Sequence, residues 1–175
     1  KFIDIFEKIK NSLEGFDYFE ELETHLVKNS IFKWVRNFIA RNENCFENED
    51  FIDFLDDLQI SGTISPELFQ ELMEIIHVGV DQMVKEWIPK LSSEFIHKWI
   101  HLWLPLLSQE RLKDTFAIIV AKFGIALQEW ELFDKRGFDL LTPWFKIISQ
   151  SQWDSLLLRN IIPKFLYGFE NLEIN

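Results

Sequence analysis

The chain has one cysteine, six glycines and five prolines in 175 residues, and each scarcity narrows what it can be. A single thiol cannot form an internal disulfide, so packing alone has to hold the fold, as in a reducing compartment such as cytosol or nucleus. Cys45 lies in "NENCFENED", where neighbouring carboxylates raise a thiol's pKa, which argues against a nucleophile. Few glycines and prolines leave little material for the turns of a β protein. No apolar run approaches the roughly 20 residues of a bilayer span, and Lys1-Phe2-Ile3 carries no signal-peptide pattern, so no membrane association is expected. A chain that opens on Lys1 reads as a fragment of a longer protein. There is no Gly-x-Ser-x-Gly and no glycine-rich loop before Lys-Ser/Thr, and no carboxylate pair is singled out by its neighbours. The expectation is a non-enzyme without a cofactor.

Phenylalanine (18) and tryptophan (7) are abundant, and 47% of the chain is hydrophobic. That composition suits helices packed through large side chains. The charge is lopsided. Residues 1–86 carry eight Lys/Arg against nineteen Asp/Glu, whereas residues 87–175 carry ten of each. An acidic chain repels phosphates, so direct nucleic-acid contact is disfavoured and a basic protein partner is favoured.

Apolar residues recur at three and four along most of the chain, and the expected class is all-α: antiparallel helices in a curved, superhelical (solenoid-like) array with Trp/Pro-rich corners. The length suits one helical module over residues 1–175, with an acidic half (1–86) and a Trp/Pro-rich half (87–175). A first helix ends near Gly15 and a second runs from Asp17 to about Lys28. Ser30 is positioned to cap a third, and "EDFIDFLDDL" forms an acidic amphipathic helix. Ser65-Pro66-Glu67 starts a long helix running to about Trp87, with Leu68, Leu72, Ile75, Ile76 and Met83 inward. Ser108 caps another that carries Leu112, Phe116, Ile119, Phe123 and Leu127. Thr142, and Ser151 with Asp154, are further caps. Prolines in "WIPKL", "WLPLL", "LTPWF" and "NIIPKF" mark corners whose uneven spacing gives no sequence repeat.

Three surfaces invite a functional reading. Glu49, Asp50, Asp53, Asp56 and Asp57 line the acidic helix and form the candidate partner-binding face. Glu94, His97 and His101 share a helix face and are the alternative, a metal-stabilised helical domain. Lys98 stands where a metalloprotease helix needs Glu, and no further ligand is marked, so packing is the favoured reading of the histidines. A second alternative is an RNA-binding helical module with a basic groove of Lys90, Lys98, Lys113, Lys122 and Lys164.

The second half resembles a known family. "WIHLWLPLL" (99–107), Arg111-Leu112, "ALQEW" ending at Trp130, "LTPWFKI" (141–147) and "QWDSLLLRNIIPKF" (152–165) follow the order of the GCFC-type domain. That domain occurs in the tuftelin-interacting-protein family of spliceosome disassembly factors, whose yeast member is the nineteen-complex-related protein. Glu131-Leu132 stands where relatives are expected to carry His-Pro. The resemblance implies a nuclear, non-catalytic scaffold segment in pre-mRNA splicing that promotes disassembly of the intron-lariat complex. Its implied partners are spliceosomal proteins and, through a glycine-rich patch outside this segment, a DEAH-box RNA helicase. The matching positions, Trp99, Trp103, Pro105, Trp130, Pro143, Trp144, Trp153 and Pro163, read as architecture.

Overall fold

The computed structural model describes residues 2–13, 15–89, 96–132 and 134–171. Among these residues the regular structure is helical throughout: α1 (Phe2–Leu13), α2 (Phe19–Val27), α3 (Lys33–Arg41), α4 (Glu49–Ser61), α5 (Pro66–Glu86), α6 (His97–Ile100), α7 (Leu104–Leu107), α8 (Lys113–Gln128), α9 (Lys135–Leu141), α10 (Gln150–Leu156) and α11 (Ile162–Glu170). None is long and apolar enough to cross a membrane. The helices group into two units, residues 1–80 with Leu102–Leu107, and residues 81–101 with 108–175.

In the first unit, α2 and α3 form one continuous rod. The expected break at Ser30 is absent, because no glycine or proline interrupts residues 19–41 and the chain passes through a π-turn, Lys28–Phe32. Ser30 therefore caps nothing: its hydroxyl donates backward to the Leu26 carbonyl (2.5 Å). The rod buries Val27, Ile31, Phe32 and Val35 against Phe51, Leu55 and Leu58 of α4 and Leu72, Met73 and Ile76 of α5, all almost free of solvent. Trp103 completes this core. Its indole N–H donates to the Phe46 carbonyl (2.9 Å), and its ring meets Phe46 and Phe51 edge-on at 5.7 and 6.1 Å. Lys10 ties α1 to α2 through Glu23 (2.9 Å) and to the α4–α5 turn through the Thr63 carbonyl (3.1 Å). Ser65 caps α5 as expected. The inward face of α5 is rotated slightly from expectation, however, burying Phe69, Met73, Val80 and Val84 more fully than Ile75 or Met83.

In the second unit, the predicted stripe of α8 is buried throughout: Leu112, Phe116, Ile119, Phe123 and Leu127. Trp144 fills the space beside it, its ring 5.8 Å from Phe116 and 5.4 Å from Phe123. Ser108 takes a left-handed φ of 52° and its oxygen accepts the Arg111 N–H (3.5 Å), opening a turn that leads into α8 rather than capping the helix itself. Thr142 is not a cap either. It stays helical and donates to Phe138 O, starting a 3-10 turn, Thr142–Trp144. Ser149, not Ser151, caps α10. Gln152 stands three residues on, so the two form a reciprocal box, while Asp154 accepts from Gln150 (2.7 Å). The corner expected at "NIIPKF" does not exist. A π-turn, Leu157–Ile161, joins α10 to α11, widening the helix where Pro163 lacks an N–H and its ring would crowd the preceding turn.

Candidate functional site

The acidic helix turns most of its carboxylates to solvent. Asn48 caps α4, its side-chain oxygen accepting the Phe51 N–H (2.8 Å), and Glu49 and Asp50 lie in the first turn, where the helix dipole favours negative charge. Burial of Phe51, Ile52, Leu55 and Leu58 fixes the rotation of the helix. That leaves Glu49, Asp50, Asp53 and Asp57 exposed and Asp56 half-buried. Asp50 and Asp57 share a helix face with Phe54, by their spacing of four and three. Phe54 meets Trp34 of α3 edge-on at 5.0 Å, and Trp34 stacks on Phe38 at 5.4 Å. Trp34 is 44% exposed, so the acidic face carries an aromatic ledge. The apolar spacing of Ile31, Trp34, Val35, Phe38 and Ile39 predicts one inward stripe, yet Trp34 stands outward.

The histidine pair packs beside Trp144. His97 and His101 have ring centroids 5.7 Å apart, and His101 stands edge-on to Trp144 at 4.8 Å. Burial, then the neighbouring His97, pulls the pKa of His101 down to about 4, and burial, then Lys98, also lowers that of His97. Both are therefore neutral near pH 7. Glu94, the third member of the expected ligand set, lies outside the described residues. Among the described residues no group of three or more His, Cys, Asp and Glu converges as metal ligands would.

The five lysines of the alternative basic groove have separate fates. Lys90 lies outside the described residues, and Lys98 and Lys113 are exposed, Lys113 facing Glu110 at 3.8 Å. Lys122 donates to the carbonyls of Lys85 (2.7 Å) and Trp87, and Lys164 to those of Gln128 (2.9 Å) and Trp130. Both ammonium groups are thereby committed to helix ends.

Of the eight motif residues, Trp99, Trp103, Trp130 and Trp144 are buried, Pro143 and Trp153 half-buried, and Pro105 and Pro163 exposed. Trp130 and Trp153 also line an apolar hollow of about 320 Å³ with Phe138, Leu141, Phe145 and Leu157. Gly137 is required there: a Cβ would sit 2.4 Å from the Trp130 indole nitrogen.

Comparison with known proteins gives these surfaces a context. The chain is 32% identical over 145 residues to tuftelin-interacting protein 11 of Rattus norvegicus and 31% identical over 144 residues to that of Xenopus laevis, covering 81% of this chain in each case. The Danio rerio protein of the same name is 34% identical over 104 residues, 59% of this chain. The matched stretch is only 17% of the rat protein's length and 12% of the zebrafish protein's. The match to the family of GC-rich sequence DNA-binding factor-like proteins runs over residues 1–175, well beyond the half that carries the sequence resemblance. From its acidic first helices to its last, the chain belongs to the GCFC family, alongside the tuftelin-interacting proteins.

Proposed function

We propose that this chain is a non-catalytic anchoring segment of a nuclear pre-mRNA splicing factor, built as a curved array of antiparallel helices. In this reading it attaches a disassembly factor to protein components of the late spliceosome, while a DEAH-box helicase is engaged elsewhere on the longer protein. The observation that carries the reading is the similarity to tuftelin-interacting protein 11 over 81% of the chain. The surface that fits it is the α4 face. Glu49, Asp50, Asp53, Asp56 and Asp57 would meet a basic segment of a spliceosomal protein, and Trp34 and Phe54 would take the aliphatic stems or guanidinium planes of its Lys and Arg side chains. A net charge of −11 makes DNA or RNA an unfavourable ligand for the same face, whatever the family's descriptive name.

The test is capture from splicing-competent nuclear extract with the 175-residue chain as bait, beside a variant carrying Asp50→Lys, Asp53→Lys and Asp57→Lys. Late spliceosomal proteins recovered by the native chain and lost by the variant support both the role and the surface. Equal recovery removes the α4 face, and recovery of none removes the splicing assignment.

A further inference from the structure

The prolines do not repeat, but the long helices do. Ser65, Ser108 and Ser149 each accept the backbone N–H of the residue three further on, Leu68 (3.3 Å), Arg111 (3.5 Å) and Gln152 (3.3 Å). From Ser65–Trp87 to Ser108–Trp130 the register holds without a gap, ending on Glu-Trp in both, and buried positions coincide: Leu72 with Thr115, Ile76 with Ile119, Val80 with Phe123, Val84 with Leu127. The third copy begins at Ser149. A 3-10 turn ending in a fully buried tryptophan precedes both the second and the third copy, His101–Trp103 and Thr142–Trp144. Within the third copy the register slips by one residue at the π-turn Leu157–Ile161, after which Ile161 answers Ile119 and Lys164 answers Lys122. A π-turn is a helix holding one extra residue.

The two lysines show how successive copies join. Lys122 of the second copy closes the carbonyls at the end of α5, and Lys164 of the third closes those at the end of α8. In each case a cation sits where the helix dipole is negative and the carbonyls lack helical donors. A lysine of each later copy thus seals the end of the long helix before it.

Helix α11 breaks the series. Phe169 stands where Leu127 stands one copy earlier, yet Leu127 is 0% exposed and Phe169 65%. On α8, Val120 and Gly124 line the cleft facing Ser155, Leu156 and Arg159 and are half-buried there, while Ile125 at its rim stays 60% exposed. The counterparts of Val120 and Gly124 on α11 are Ile162 and Leu166, and these are 41% and 58% exposed. We propose that this face of α11 is the seat for a further helical unit of the same pattern: a helix with an apolar face, preceded by a buried-tryptophan corner, whose lysine seals the end of α11. The occupant is identified by continuity, since α8 is covered in this way within the fold. The proposal rests on the array reading above but not on splicing, and a test without spliceosomal components separates the two.

The experiment appends a copy of residues 131–171 after residue 172 and compares this chain with the parent. Phe169→Cys in the original α11 supplies a reactive thiol at the position whose counterpart, Leu127, is fully buried. Cys45 does not compete, because it is buried and burial raises its pKa. The expected result is at least a tenfold slower thiol reaction at position 169 in the extended chain, together with added helix by circular dichroism. Lys164→Met in the appended copy alone should return part of that reactivity, at least threefold. An unchanged rate, or an appended copy that gains no helix, overturns the proposal. A rate in the parent that falls with protein concentration also overturns it, by making a second copy of this chain the occupant.

Discussion

Trp103 offers a sharp test of how the first unit holds together. Its side chain is fully buried, donates to the Phe46 carbonyl and packs edge-on against two phenylalanine rings. Trp103→Ala opens a cavity where the indole stood, a change that costs about 3–5 kcal/mol, and it strands the Phe46 carbonyl, which adds about 1–3 kcal/mol where water cannot reach. Trp103→Phe keeps most of the ring contact and loses the donor, so it should cost about 1–3 kcal/mol. Domains of this kind are stable by about 5–15 kcal/mol, so the alanine variant should sit near the threshold of folding and the phenylalanine variant well above it. Native-state hydrogen exchange at the Leu55 and Leu58 amides of α4 reads the effect locally. About 4 kcal/mol corresponds to roughly a thousandfold faster exchange by global opening. A phenylalanine variant as protected as the native chain would refute the role of the hydrogen bond. An alanine variant that loses less than tenfold would refute the placement of Trp103 at the centre of this core.

Two glycines should respond in opposite directions to alanine. At Gly79 a Cβ would lie 2.3 Å from the buried Phe46 ring, so Gly79→Ala should lower stability by about 1–3 kcal/mol. At Gly124 the nearest atoms are 3.6 Å away on Asn160, so Gly124→Ala should raise it by about 0.5–1 kcal/mol; urea midpoints of the two variants check both signs. His101 should make the chain acid-sensitive. Its folded pKa of about 4 lies below the ordinary 6.5, so the unfolded state binds the proton first and stability is lost as pH falls from 6.5 toward 4. His101→Gln should flatten that part of the urea-midpoint profile, and an unaltered slope would refute it. Lys122→Met and Lys164→Met should each cost about 1.5–3 kcal/mol and combine additively in the double variant, since they share no partner; thermal unfolding measures both.

Much of this fold is legible from residue spacing. The α8 stripe and the Ser65-Pro66 start of α5 follow from periodicity and capping chemistry that act within a few residues. The failures at Ser30 and Pro163 share one cause: a single residue's signal was overruled by the helix that runs through it. Ser30 has the chemistry of a cap, but nothing nearby stops α2, so its hydroxyl turns back onto the helix. Pro163 has the chemistry of a breaker, but a π-turn absorbs it. The acidic face of α4 shows the same division. Its carboxylates stand out in the sequence, whereas the ledge of Trp34 and Phe54 exists only once α3 and α4 are side by side. The repeat was hidden because prolines were the natural markers to count, and they fall at different places in each copy. Glu86-Trp87 and Glu129-Trp130 were the better markers, since they sit where the sealed helix ends must coincide.

The π-turn of the last helix can also be seen as a setting of rotational phase. One residue turns an α-helix by about 100°, so the extra residue held in Leu157–Ile161 determines which way everything beyond it points. With that residue in place, Lys164 aims at the end of α8 and Ile162, Leu166 and Tyr167 look outward. Deleting one residue from the turn would leave a helix of normal pitch and nearly unchanged composition. The lysine would swing away from its carbonyls, and the outer face would be turned aside by more than a quarter of a circle.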